Sequence, residues 1–127
     1  MNGKMEGKGK FTYVEGDVYE GDWKNDLKNG KGIFIYSDGE RYEGEFVDDY
    51  KQGKGKTKYE NGNEYEGEYF EDKRQGRGIM KFANGERYEG DFYDDKLHGK
   101  GLLFKDGKVV EVIRNDNNVR CIYKKFK

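Results

Sequence analysis

Along residues 42–46 an apolar or glycine position alternates with an acidic one: Tyr42, Gly44 and Phe46 have one parity, Glu43 and Glu45 the other. That two-residue period is the signature of a half-buried strand. Beyond a reversal the chain returns with Gly53, Gly55, Thr57 and Tyr59 on one face and Lys54, Lys56 and Lys58 on the opposite face. The unit predicted is a β-hairpin, and it recurs. Tyr19, Tyr42, Tyr65 and Tyr88 are spaced by 23 and open the phrases YEGDW, YEGEF, YEGEY and YEGDF. A second signature follows each phrase, at 30–32, 53–55, 76–78 and 99–101, with GKG in three copies and GRG in one.

Residues 7–18 align with 30–41, so a partial copy precedes the full ones, and at the other end Gly107 arrives one residue early. With one deletion between Gly101 and Gly107, Val110 stands in the tyrosine column and Val112 in the glycine column. Loss of the signature in a last copy is what a terminal cap requires. The expected organisation is a partial copy at 1–18, repeats at 19–41, 42–64, 65–87 and 88–109, and a diverged closing hairpin at 110–127, with strands at 109–114 and 119–123.

A glycine inside a strand weakens it unless something must approach closely. Here Gly44, Gly53 and Gly55 share a face with Tyr42, Phe46 and Tyr59, so rings can lie across bare backbone. The pairs Asp38-Gly39, Asn61-Gly62, Asn84-Gly85 and Asp106-Gly107 supply positive φ for tight turns. The other reversal, Val47–Gln52, reads as a longer charged loop.

Composition sharpens this picture. Charged residues are 40% of the 127, yet 25 Lys+Arg against 26 Asp+Glu leave a net charge of -1. Acidic rows on first strands facing basic rows on second strands account for both facts, each pair giving roughly 0.2–1 kcal/mol. Neutrality also removes the electrostatic basis for nucleic-acid binding. Aromatic residues are 16%, so the apolar load sits in rings. No run is long enough for a transmembrane helix and no leader pattern follows Met1. With Cys121 the lone cysteine there is no internal disulfide, and an intracellular, cytoplasmic location is the expectation.

The 23-residue period, carrying Y-x-G-x-(W/F/Y) and then G-x-G, resembles the MORN repeat ("membrane occupation and recognition nexus") at 19–32, 42–55, 65–78 and 88–101. The resemblance implies a single elongated sheet of hairpins that acts as a scaffold, dimerisation element or membrane-associated module, with the cytoskeleton or a membrane as alternative locations. Departures are few. Where the family's loop carries a glycine, this sequence has Asp26, Asp49, Asp72 and Asp95, which leaves the turn type open. The fold expected is all-β: an antiparallel, solenoid-like meander of about ten to twelve strands, roughly 50 Å long at the usual strand spacing.

No residues assemble into chemistry. His98 is the lone histidine, Cys121 reads as a small apolar strand residue, and the acidic loops lack the converging oxygens of a calcium site. We therefore expect no enzyme, metal or cofactor. The extended feature is the aromatic face: Tyr19, Trp23, Tyr36, Tyr42, Phe46, Tyr59, Tyr65, Tyr69, Phe82, Tyr88 and Phe92. With no second layer, these rings either bury one another or leave a groove for a protein or peptide partner, self-association included. Val47, Phe70 and Tyr93, with Lys24 in the first copy, form a secondary column. The leading reading is a non-catalytic scaffold or protein-interaction module. The alternative is peripheral contact with an anionic phospholipid or phosphoinositide membrane through Arg120, Lys124, Lys125 and Lys127.

Overall fold

In a computed structural model, residues 5–115 and 118–124 are described, with side chains for 5–113. Eleven strands form one antiparallel sheet in strict chain order. They are β1 (Gly7–Thr12), β2 (Val18–Lys24), β3 (Leu27–Ile35), β4 (Arg41–Val47), β5 (Tyr50–Lys58), β6 (Glu64–Phe70), β7 (Lys73–Lys81), β8 (Arg87–Tyr93), β9 (Lys96–Lys105), β10 (Lys108–Asn115) and β11 (Asn118–Lys124). The fold is the all-β meander that the two-residue period implies. One face holds the core, Tyr19, Trp23, Tyr42, Phe46, Tyr65, Tyr69, Met80, Tyr88, Phe92 and Val112, and the other carries the charges.

Cross-strand register places the glycines in a single row perpendicular to the strands. Gly9 pairs with Gly21, Gly32 with Gly21 and Gly44, Gly55 with Gly44 and Gly67, Gly78 with Gly67 and Gly90, and Gly101 with Gly90 and Val112. Within each hairpin the two backbones come close at this row: a Cβ on Gly44 would run into the Gly55 Cα. Beside the close approach sits a bulge. Gly44 pairs with Gly55 but Phe46 pairs with Lys51, so Gln52, Gly53 and Lys54 stand opposite Glu45. Gly53 takes φ 87 to make that detour.

Two turn types alternate, and one corrects the sequence reading. The segment 47–52 is not a long loop. β4 and β5 are joined by Asp48 and Asp49 alone, with φ 46 and 74, and Val47 pairs directly with Tyr50. Asn25-Asp26, Glu71-Asp72 and Asp94-Asp95 repeat the conformation, so two-residue turns of mirror-image hairpin type survive without the family's glycine. Asp and Asn tolerate the left-handed region because their short polar side chains bond locally. The opposite turns are three-residue: Gly39 has φ 100, its N–H donates to the Tyr36 carbonyl at 3.0 Å, and the Tyr36 N–H donates to Glu40 at 2.8 Å. Between β9 and β10 Asp106 and Gly107, φ 52 and 71, make a two-residue turn between the paired Lys105 and Lys108. That substitution is the missing residue in the repeat alignment.

Candidate interaction face

The tyrosine column is the centre of the aromatic face. Tyr19, Tyr42 and Tyr65 are 0% exposed and Tyr88 1%. Each ring lies over the glycine of the next strand, Gly32, Gly55, Gly78 or Gly101, where a Cβ would collide with it. Each hydroxyl donates to a carbonyl three residues on: Tyr19 to Asp22, Tyr42 to Glu45 and Tyr65 to Glu68 at 2.8 Å, and Tyr88 to Asp91 at 3.2 Å. Burial pushes these phenols up, Tyr19 to about 12, with the nearby Asp22 carboxylate adding to it.

Between the tyrosines stand Trp23, Phe46, Tyr69 and Phe92. The sequence Trp23, Tyr19, Phe46, Tyr42, Tyr69, Tyr65, Phe92, Tyr88 is one continuous ladder of edge-to-face contacts, centroids 5.0–5.4 Å apart at 80–89°. This is the geometry the ring quadrupole favours. None of these eight is more than 6% exposed. Of the candidate interaction residues, Tyr36, Tyr59 and Phe82 alone remain half-buried rather than buried. Trp23 also closes the face at β1: its Nε1 donates to the Gly9 carbonyl at 3.0 Å, and its indole sits against that glycine.

Three cations that the sequence reading did not place complete the face. Lys28, Lys51 and Arg74 recur at 23 residues and point inward over the rings. Lys28 Nζ is 5.2 Å from the Phe34 centroid, Lys51 Nζ 4.9 and 5.0 Å from Tyr36 and Tyr42, and Arg74 5.6 Å from Phe92. Lys28 pairs with Asp49 at 3.5 Å and Arg74 with Asp95 at 3.3 Å. Burial pulls the Lys51 ammonium down from its ordinary value. A signal existed: Lys51 shares parity with Gly53, Gly55 and Thr57, but reading 47–52 as a loop starts the strand too late.

The turn aspartates join copies. The Lys28 N–H donates to Asp49 Oδ1 at 2.8 Å while the Asp49 N–H donates to the Lys28 carbonyl at 2.9 Å. Asp72 does the same with Lys51, and Asp95 with Arg74. A glycine could adopt the turn but could not accept the first bond.

On the charged face the cross-strand lattice is partial. Lys8–Asp22 and Arg77–Asp91 are ion pairs at 3.1 Å, and Lys56–Glu64 approaches to 3.9 Å. Asp22, Glu45 and Glu68 also accept the backbone N–H of Lys31, Lys54 and Arg77 at the bulges, at 3.1, 2.7 and 2.8 Å. The bulge N–H and Lys8 together hold the Asp22 carboxyl below the usual carboxylate range. An open trough of about 830 Å³, floored by Gly55 and Gly67 and walled by Lys54, Lys56, Glu66 and Arg77, crosses this face.

Along the hairpin tips Val47, Tyr50, Phe70 and Tyr93 are 44–56% exposed. His98 is exposed in β9 with its ring 5.5 Å from Tyr93. Among the described residues no cluster of His, Cys, Asp and Glu is arranged to hold a metal. Arg120, Cys121 and Lys124 lie in β11, whose side chains fall outside those described, as do Lys125 and Lys127 altogether.

The sequence model of the MORN repeat matches residues 1–18, 19–41, 42–64, 65–87 and 88–109. The chain belongs to the MORN repeat family. MORN repeats are in general modules of protein or membrane interaction, and the family is generally non-catalytic. No curated protein matches this MORN chain. No helix among the described residues is long and apolar enough to cross a membrane.

Proposed function

We propose that this MORN chain is a non-catalytic scaffold: a rigid β platform that holds an extended protein segment along the rim of its aromatic face. The observation that carries the reading is the ring ladder. Eight interlocked aromatics stiffen the sheet, and Tyr36 and Tyr59 are left half-buried, one beside Lys51 and the other beside Arg74, two of the three cations held on the rings. A phenol next to a cation offers stacking area, a hydroxyl and a charge to one ligand. Because the core rings are buried, contact falls to this rim and not to Tyr42 or Tyr65.

The test is affinity capture from native lysate with the parent and with Tyr36→Ala/Tyr59→Ala, followed by calorimetry on the captured protein. Loss of capture in a folded double variant is expected. Equal capture by both proteins would move the site off this face. The membrane alternative draws on Arg120, Lys124, Lys125 and Lys127. It predicts sedimentation with anionic vesicles that is lost on deletion of 124–127 and in high salt.

A further inference from the structure

β1 is the second strand of a hairpin whose first strand is missing. By the 23-residue period residues 7–12 correspond to 30–35 of β3. Each of β3, β5 and β7 lies between two strands that open with the tyrosine phrase, whereas β1 has β2 on one side and no strand among the described residues on the other. The open edge nevertheless keeps the form it has where that strand is present. Gly30, Gly53 and Gly76 take φ 95, 87 and 89, and a Cβ on any of them would run into the acid of the preceding strand, Asp22, Glu45 or Glu68. Gly7 holds φ 75 with nothing within 4 Å. Over Gly32, Gly55 and Gly78 lies a tyrosine ring. Over Gly9 there is none, and the nearest atoms are the edge of the Trp23 indole at 3.3 Å and the Met5 Cε at 3.9 Å. Phe11 is 41% exposed, while Thr57 and Met80, its counterparts in β5 and β7, are 1% and 5%.

We propose that this edge binds an extended segment of a partner protein, with the pattern tyrosine, acid, glycine, acid, aromatic, added antiparallel to β1. Such strand addition takes its affinity from main-chain hydrogen bonds and its specificity from the places open to alternate side chains. The register of β2 on β3 fixes those places. The tyrosine stands opposite Phe11 with its ring over Gly9, the first acid opposite Lys10 and the glycine opposite Gly9. The second acid accepts the Lys8 N–H, as Asp22 accepts that of Lys31. Lys10 then has Glu20 on one flank and the new acid on the other, as Lys56 has Glu43 and Glu66. The added ring meets Trp23 as Tyr19 meets Phe46, which lengthens the edge-to-face ladder by one rung.

Charge selects a foreign strand over a second copy of the chain. Two β1 edges would bring Lys8 and Lys10 against the same lysines, and β11 has Arg120 and Lys124 and no glycine. The two lysines guard the edge against basic strands and favour an acidic one. The site lies at the end of the sheet, away from the rim of Tyr36 and Tyr59, and stands independently of the scaffold reading.

Fluorescein-labelled RYEGEFV, the sequence of β4, is the probe, titrated with the full chain and followed by anisotropy. Saturable binding between about 1 μM and about 1 mM is expected. Probes with the glycine changed to valine, or with both glutamates changed to lysine, should bind about tenfold more weakly or worse. Lys10→Glu, at an exposed position, should weaken the first probe about tenfold, and RYKGEFV should restore the affinity of that variant. Amide exchange at Lys8 should slow as the probe saturates. Tyr36→Ala/Tyr59→Ala should bind as the parent does, and strand-type circular dichroism in each variant confirms the fold. No binding by about 1 mM overturns the inference, as does equal affinity for the lysine probe. Binding lost in the Tyr36/Tyr59 variant but kept in Lys10→Glu would place the peptide on the rim and overturn it as well. Failure of the swapped pair to recover overturns the register.

Discussion

The hydroxyls of Thr57 and Tyr69 are hydrogen-bonded to one another inside the aromatic face, and each is the polar exception in its column. Phe34, Met80 and Leu103 occupy the position of Thr57 in other copies, and Trp23, Phe46 and Phe92 that of Tyr69. Thr57 is 1% exposed and Tyr69 5%. Two polar groups that would each be costly alone stand together, in adjacent copies that touch.

Removing one partner leaves the other buried without its bond. Tyr69→Phe should therefore cost about 1–3 kcal/mol. The double variant Thr57→Val/Tyr69→Phe should be closer to the parent than the two single losses summed, because both orphaned groups are gone. Urea unfolding of the four proteins gives the coupling. Strict additivity would mean that the contact contributes nothing.

The glycine row separates two reasons for glycine. At Gly55 a Cβ strikes the Tyr42 ring in a backbone that is otherwise ordinary. At Gly39 nothing lies within 4 Å, and the constraint is φ 100. Gly55→Ala should lose roughly 1–3 kcal/mol or more through overpacking, and Gly39→Ala only about 1–2 kcal/mol from backbone strain. Shortening the ring, as in Gly55→Ala/Tyr42→Leu, should recover part of the first loss and cannot affect the second. Thermal melting ranks the variants. A Gly39 variant less stable than the Gly55 one would refute the ring-on-glycine account.

The aspartate at the hairpin tip combines a left-handed backbone with an acceptor for the preceding copy. At Asp72, φ is 71 and Oδ1 takes the Lys51 N–H at 2.8 Å. Asn can supply both, Gly only the first, Ala neither well. The order of stability expected at position 72 is Asp, then Asn, then Gly, then Ala, with about 1–3 kcal/mol between the ends. Amide exchange at Lys51 should quicken in the Gly and Ala variants and stay slow in Asn. A Gly variant as stable and as protected as the parent would remove the staple.

Such residues mark the limit of what the sequence made legible. The hairpins, the tyrosine-on-glycine columns and the closing strands follow from parity and the 23-residue period, which side-chain alternation alone enforces. The tip turn was opaque because positive φ was sought at glycine, while this chain places it on Asp49, Asp72 and Asp95. That single misplacement hid the start of β5 and with it the inward Lys51. Whether the rings would leave a groove depended on the close backbone approach at Gly44 and Gly55 and on Lys28, Lys51 and Arg74 lying over the face, contacts that a period does not report. The bulge acceptors Asp22, Glu45 and Glu68 were hidden likewise, since alternation shows them outward but not whose N–H they meet.

Titration of the buried phenols gives the last expectation. Tyr36, Tyr42, Tyr65 and Tyr69 are all pushed up, chiefly by burial, and Tyr19 reaches about 12 against an ordinary 10.0. A raised folded-state value means that the native protein holds its phenolic protons after the unfolded chain has released them. Stability from these groups is complete below pH 10 and falls as pH rises from there through about 12 and beyond. Lys51, pulled down by burial, works in the opposite sense over part of that range, but it is one group against seven, since Tyr59 and Tyr88 are raised as well. On the acid side Asp22 is held down by the Lys31 N–H and by Lys8, so its contribution is present above the ordinary carboxylate value and lost on acidification. Following phenolate absorbance and strand circular dichroism together through an alkaline titration, we expect the buried tyrosines to ionise only as the sheet unfolds, in one coincident transition. Smooth ionisation of Tyr19, Tyr42, Tyr65 and Tyr69 near 10 in an intact sheet would contradict the buried ladder.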